Sequence, residues 1–313
     1  MAGNWTAAEI PKLRGRTAIV TGANSGLGLV TARELARHGA GVILACRDLV
    51  KGQAAILQIQ RSVPDADLQL EELDLGRQSS IEDFAERFAA GERNGLDVLI
   101  NNAGVMAPPR RHTADGFELQ LGTNHLGHFA LTGRLISHME GSPDARVVTL
   151  SSNAHKMGRI NFDDIQSERR YMRWSAYGQS KLANLMFALE LDRRLRAGGS
   201  EIKSLAAHPG YAATNLQSAA APALDRLMMK ATNLLIAQSA EMGALPTLYA
   251  ATAPGVEGGS YFGPDGPGEF RGHPHLSTPT RAARDEDSAR RLWALSEELT
   301  GVEFSLPAAS SAS

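Results

Sequence analysis

Tyr177 and Lys181 stand four residues apart at the head of a helical stretch running to about residue 196. On a helix, residues i and i+4 share one face, with their Cβ atoms roughly 5–6 Å apart. A tyrosine phenol exchanges protons poorly at neutral pH, because its ordinary pKa is about 10. A neighbouring ammonium favours the phenolate and draws that pKa toward the working range. The pair therefore reads as an acid/base device, although the same spacing also occurs in ordinary surface contacts on a helix. What precedes it in the chain decides between the two.

Short β-rich apolar runs alternate with longer stretches of helical periodicity. Strands are expected at 17–21, 41–45, 68–73, 98–101, 146–150, 202–206 and 260–262. Helices are expected at 26–38, 49–61, 79–91, 115–139, 176–196 and 239–251, with a last one around 284–299 that ends at Gly301. Such alternation implies right-handed crossovers and a parallel sheet covered on both faces. The expected fold class is α/β, a single doubly wound Rossmann-type domain of about seven parallel strands with helices on both faces. No Pro/Gly/Ser-rich linker divides the series, so one domain is expected over residues 14–304, after an N-terminal extension at 1–13. Residues 305–313 read as a disordered tail. The stretch 214–238 breaks the rhythm, with few charges and apolar residues at helical spacing. It reads either as a core-packing helix or as part of a substrate lid at about 211–238.

The 313 residues carry a formal net charge of −2, and charges of both signs are mixed along the chain. There is thus no electrostatic footprint for nucleic acid or an anionic membrane. Cys46 is the only cysteine, which rules out an internal disulfide and fits a reducing compartment. No apolar run reaches the roughly 20 residues needed to span a bilayer, and the first residues lack the basic and apolar regions of a secretory signal. A cytoplasmic protein with no transmembrane segment is expected.

After the first expected strand comes Thr21-Gly22-Ala-Asn-Ser-Gly26-Leu-Gly28, leading directly into a helix. Glycines there let the backbone turn sharply and approach a pyrophosphate, which rests on the amides of the helix N-terminus. The spacing is G-x-x-x-G-x-G rather than G-x-G-x-x-G, and a glycine triplet of this kind can also be a plain tight turn. The end of the second strand bears on NAD against NADP. An acid there binds the ribose 2′-hydroxyl, whereas an arginine accommodates a 2′-phosphate. The chain has Cys46-Arg47 at that point, with Asp48 a step later as an expected helix N-cap. Arg47 therefore argues for NADP(H). Cys46 reads as a small buried filler.

The glycine loop, Asn101-Asn-Ala-Gly104 and Tyr177-x-x-x-Lys181 occur together in this order. With them the chain closely resembles the short-chain dehydrogenase/reductase family, from about residue 14 to the last helix. Ala45-Cys-Arg-Asp48, Asn124-His-Leu-Gly-His-Phe129, Ser180-Lys-Leu-Ala-Asn184 and His208-Pro-Gly210 resemble its retinol-dehydrogenase-like and protochlorophyllide-reductase-like branch.

The resemblance implies that Gly22, Ser25, Gly26, Leu27 and Gly28 line the pyrophosphate, with Arg47 on the 2′-phosphate. It implies Asp74 at the adenine, Asn101 and Ala103 at the adenosine ribose, and Pro209, Gly210 and Thr214 along the nicotinamide. Tyr177 becomes the acid/base, and Lys181 its electrostatic partner, bonded also to the nicotinamide ribose. Ser152, the second of the adjacent pair Ser151-Ser152, polarises the substrate carbonyl, and Asn124 holds a water in a proton relay. The chain departs from the family in two places. Tyr177 follows Ser152 by 25 residues, a longer gap than in many members. Ser25 stands where many NADPH-specific members carry a basic residue. The family also suggests a homo-oligomer.

Other residues carry plainer readings. The histidines assemble no ligand set with cysteine or carboxylates, so no metal is expected. Asp163-Asp164 and Glu71-Glu72 read as solvated turns and edges, and Trp5 and Trp293 as packing residues. Tyr171 and Trp174 precede Tyr177 closely enough to wall a substrate pocket or simply to pack a loop. The expected function is NADP(H)-dependent interconversion of a carbonyl and an alcohol on a hydrophobic small molecule. A catalytically idle NADP(H)-binding redox sensor is the alternative. A nucleotide-sugar epimerase on the same fold disagrees with the glycine spacing.

Overall fold

The first strand illustrates how the chain builds its sheet. Thr17–Thr21 (β1) is a short run of β-branched and small residues, all buried. Successive side chains serve opposite faces: Ala18 and Val20 join one apolar cluster, and Ile19 joins another. In the computed structural model, which describes residues 4–93, 95–211 and 238–306, seven further strands extend this pattern. They are Gly41–Cys46 (β2), Leu68–Glu72 (β3), Val98–Asn101 (β4), Arg146–Leu150 (β5), Lys203–Ala207 (β6), Tyr261–Pro264 (β7) and Pro274–Leu276 (β8). The sheet order is β3-β2-β1-β4-β5-β6-β7-β8, parallel except for β8, which pairs antiparallel with β7. β8 was not foreseen. Its three residues lie in a Gly/Pro-rich stretch too short to show a period, and only pairing with β7 makes them a strand.

Helices Gly26–Arg37 (α1) and Leu49–Ser62 (α2) pack on the first face, with the later helix that covers residues Ala240–Thr252. Gln78–Ala90 (α3), Gly127–Leu135 (α4) and Arg173–Ala197 (α5) cover the second face. The Ala240–Thr252 helix is α6, and Glu286–Thr300 is α7. Glycine ends α7 as expected, since Gly301 closes it at φ +66°.

The helix expected at 115–139 is instead a composite. A single turn at Leu119–Leu121 leads into a π-helical stretch, Gly122–Leu126, before α4 begins and a 3-10 turn, Ile136–Met139, ends it. Glu118 caps the first turn by accepting from the amides of Gln120 and Leu121. Residues 4–13 are less of an extension than expected, because Trp5, Ile10 and Leu13 are buried in the first cluster. Trp5 meets Tyr249 edge-on at 5.2 Å. Leu306 still packs on the second cluster, two residues past the expected end of the domain. Thr214, residues 212–237 of the lid expected at about 211–238, and residues 307–313 of the tail expected at 305–313 lie outside the described residues.

β1 has β2 on one side and β4 on the other, so the chain winds away from it in both directions. In open α/β sheets this reversal opens a crevice at the carboxyl ends of the strands. The candidate site lies there.

Candidate active site

A cavity of about 700 Å³ fills that crevice, within the usual range for small-molecule sites. Its floor is the glycine turn. Gly22 and Gly26 adopt φ of +64° and +55°, the left-handed region that favours glycine. A Cβ on Gly28 would stand 2.5 Å from the Gly22 carbonyl oxygen, so α1 can start this close to the turn only with glycine there. Ser25 is the N-cap of α1, yet its hydroxyl makes no capping bond to the helix. The unpaired amides and positive dipole end of α1 therefore face the cavity, a ready site for phosphate groups.

Arg47, at the end of β2, also lines the cavity; it is exposed, with no ion pair among the described residues. Asp48 is occupied elsewhere, capping α2 through Lys51 N at 3.0 Å and pairing with Lys51 Nζ at 2.9 Å. Burial pushes the Cys46 thiol up to about 11, which keeps it protonated and inert.

The opposite wall is built by α5. Its apolar residues divide between two clusters, Phe187, Leu191 and Leu195 on one and Leu182, Leu185 and Met186 on the other. Burying each such side chain stabilises by about 1.5–3 kcal/mol. That packing offsets the cost of carrying Tyr177 and Lys181 into the interior, where they are 6% and 5% exposed. The Lys181 ammonium lies 5.9 Å from the centre of the Tyr177 ring and donates to the Leu150 carbonyl at 3.1 Å.

The segment after β5 reaches α5 by backbone contact. A Cβ on Gly158 would meet the Gly178 carbonyl oxygen at 2.3 Å. This approach brings the Ser152 hydroxyl to the side of the Tyr177 phenol, where it favours the ionised form. Ser152 Oγ also accepts from Ala154 N at 3.2 Å. Ser151 does something different, donating to the Lys181 carbonyl at 2.8 Å. Both serines border the cavity.

The electrostatics differ from the sequence expectation. Burial pushes the Tyr177 phenol up to about 12, opposed by the neighbouring Ser152 hydroxyl. Burial also brings Lys181 down to about 8. Desolvation, rather than the lysine, dominates the acidity of the tyrosine.

Gly22, Ser25, Gly26, Leu27, Gly28, Arg47 and Ala103 line one end of the cavity, and Ser152, Tyr177, Lys181, Pro209 and Gly210 line the other. Three expected residues do not reach it. Asp74 Oδ1 accepts from Gly76 N at 3.0 Å, closing its own turn. Asn101 is wholly buried, its Nδ2 donating to Thr132 and Thr149 at 3.0 and 3.3 Å, so it ties β4 to its neighbours. Asn102 lines the cavity in its place and donates to the Thr21 carbonyl at 2.7 Å. Asn124 exchanges two bonds with the backbone of Val105 and donates to Ser180 Oγ at 2.9 Å. Its own carbonyl pairs with His128 Nδ1 at 2.9 Å. That residue braces the wall beside the site rather than facing it.

Met106, Met157, Trp174 and Phe270 line the far end of the cavity, and Trp174 meets Tyr177 edge-on at 6.2 Å. Of these only Trp174 was foreseen as a wall. Tyr171 packs the loop instead, donating to the Pro108 carbonyl at 2.8 Å.

The residues present fit a dinucleotide. The glycine turn admits close approach, the α1 amides await an anion, and a buried ammonium with one backbone acceptor stands beside a phenol. Comparisons with known proteins agree. The profile described as short chain dehydrogenase matches residues 16–225. Human retinol dehydrogenase 12 is 42% identical over 297 residues, spanning 94% of this chain and 89% of that protein. Human retinol dehydrogenase 13 is 42% identical over 297 residues, spanning 92% and 86%. A crystal structure of an uncharacterised protein from Mycobacterium paratuberculosis is 48% identical, with a TM-score of 0.81 over 97% of this chain and 100% of that one. A Burkholderia cenocepacia short chain dehydrogenase, solved with NADP, shares the fold at 22% identity and a TM-score of 0.63, over 80% and 96%. The chain belongs to the short chain dehydrogenase family and is an NAD(P)-dependent oxidoreductase that interconverts carbonyl and alcohol groups.

Proposed function

We propose that the chain uses NADP(H) to interconvert a hydrophobic carbonyl compound and its alcohol, with Tyr177 as the acid/base. The observation that carries this reading is Lys181 over the Tyr177 ring, with Ser152 lining the same cavity that holds the glycine turn. Arg47, exposed and without an ion pair among the described residues, supports a 2′-phosphate and hence NADP(H).

When bound, the reduced nicotinamide supplies the hydride. Tyr177 gives its phenolic proton to the carbonyl oxygen, and a pKa near 12 keeps that proton in place throughout the neutral range. Ser152 donates to the same oxygen as charge develops on it, the kind of contact that is worth about 10²–10³ in rate. Lys181, protonated below about pH 8, stabilises the phenolate left behind. Asn124 supports the reaction from outside the cavity, by holding Val105 and Ser180.

The substrate end beyond Tyr177 and Lys181 is lined by Met106, Met157, Trp174 and Phe270, and Lys156 there is paired with Glu269 at 2.8 Å. That supports a hydrophobic substrate without a free carboxylate, in keeping with relatives named for retinol. The family resemblance also supports a homo-oligomer, which sedimentation reads directly.

The test is to follow NADPH and NADH consumption against a panel of apolar aldehydes, ketones and quinones. NADPH consumption with an apolar carbonyl is expected, at higher kcat/KM than with NADH. Tight NADPH binding with no consumption for any substrate would instead favour an idle nucleotide-binding protein.

A further inference from the structure

The hairpin joining β7 to β8 carries a carboxylate that the reaction above does not use. Glu269 follows Gly268, and the two residues have φ of +57° and +64°. This left-handed backbone is rare for a residue with a side chain and persists where its surroundings hold it. Two sets of contacts do so here. Asn153 Nδ2 donates to the carbonyls of Gly268 and Glu269 at 3.3 and 3.1 Å. The carboxylate accepts from Lys156 Nζ at 2.8 Å and lies 3.5 Å from His208 Nε2 and 3.7 Å from His275 Nε2.

His208 passes the contact on. It is wholly buried, and Gly210 N–H donates to its Nδ1 at 3.3 Å. In the neutral ring the proton then sits on Nε2, the nitrogen facing Glu269. Burial disfavours the charged ring and Glu269 opposes that, while the carboxylate itself is held well below the usual range by His208 and Lys156. The groups tied together come from three elements, and each borders the substrate end of the cavity. Asn153 and Lys156 follow Ser152, Gly210 follows β6, and Phe270 follows Glu269 itself.

We infer that Glu269 is a positioning residue for the carbonyl end of the site, clamping the Ser152 segment, the Pro209-Gly210 turn and the Phe270 wall into one arrangement. It touches neither substrate nor cofactor in this role. The inference rests on the carbonyl chemistry proposed above.

Glu269→Gln keeps the size of the side chain and removes its charge. With the full chain and an apolar carbonyl, kcat/KM is expected to fall about tenfold, as small misplacements of reacting groups do. The Kd for NADPH should stay within about threefold, since its phosphates bind at the distant glycine turn. Glu269→Asp should recover part of the loss. Lys156→Met should also lower kcat/KM, and the double variant should be no worse than Glu269→Gln alone, because both act through one clamp. Unchanged kcat/KM in Glu269→Gln, or additive losses in the double variant, would overturn the inference.

Ring-nitrogen NMR of His208 reads the clamp without turnover. The Nε2 proton is expected in both proteins, since Gly210 N–H holds Nδ1 as the acceptor, with its resonance moved upfield in Glu269→Gln, where the facing carboxylate is lost. An unmoved resonance counts against the clamp. A wild type that reduces no carbonyl, while the variant's resonance moves, would sink the proposed reaction and keep the clamp.

Discussion

The Lys181 ammonium lies over the Tyr177 ring, 5.9 Å from its centre, and gives its hydrogen bond to the Leu150 carbonyl. The group that favours ionisation of the phenol is the Ser152 hydroxyl instead. The hydroxyl and the ammonium that serve the tyrosine thus divide their work. Ser152 favours the oxygen at short range, while Lys181 counters the negative charge that appears once the proton has left. Both effects act in a desolvated site, where charges are less screened than in water.

Tyr177→Phe removes the proton and keeps the ring that packs on Trp174. Turnover should fall by about 10³ or more, at the upper part of what a general acid contributes. The Kd for NADPH should stay within about twofold. Stopped-flow reduction and fluorescence titration check the two halves, and a mutant with near wild-type turnover would remove Tyr177 from its role.

The adjacent serines should separate cleanly. Ser152→Ala is expected to cost about 10²-fold in kcat, because it loses a donor to the developing oxyanion. Ser151→Ala loses a buried bond to the Lys181 carbonyl, which should appear as about 1 kcal/mol of stability with far less effect on kcat. Kinetics and thermal melting on both proteins decide it, and the reverse pattern would exchange their roles.

Arg47→Ala should raise KM for NADPH on the order of tenfold while leaving KM for NADH nearly unchanged, since only the former carries a 2′-phosphate. Equal effects on the two nucleotides would mean that Arg47 does not select between them.

Lys181 links activity to stability through pH. Its ordinary pKa of 10.5 holds in the unfolded chain, and burial lowers it to about 8 in the folded one. Between those values the unfolded chain holds a proton that the folded chain has released, so this group's contribution to stability rises with pH across the window. Below about pH 8 the buried ammonium is a net cost. Lys181→Met should therefore melt several degrees higher than wild type at neutral pH, with little turnover left. That gain should shrink as pH climbs from 8 toward 10. A variant that melts below wild type at neutral pH would contradict the assigned cost.

Gly158→Val tests the backbone contact that brings Ser152 to Tyr177. The added side chain has no room against the Gly178 carbonyl, so the segment must shift or strain by about 1–3 kcal/mol. A loss of kcat well beyond the loss of stability is expected. Full activity in a less stable protein would show that the contact serves packing alone.

Local chemistry was legible in the chain. The glycine turn, the Tyr177 and Lys181 pair, Arg47 and the capping role of Asp48 depend on neighbours a few residues away, and sequence spacing reports those distances well. The strands and helices from 17 to 207 were legible too, apart from the composite at 119–139, because their apolar periods differ. Tertiary packing decided the rest. Asn102 rather than Asn101 lines the cavity, because β4 ends with Asn101 facing Thr132 and Thr149. β8 exists only because β7 offers it an edge. Glu269 and Phe270 sit beside Lys156 although 113 residues separate the ion pair. No period or spacing carries such a contact. Burial likewise outweighed the expected influence of Lys181 on Tyr177, since desolvation depends on what the whole fold packs around a group and not on the residue four places along the helix.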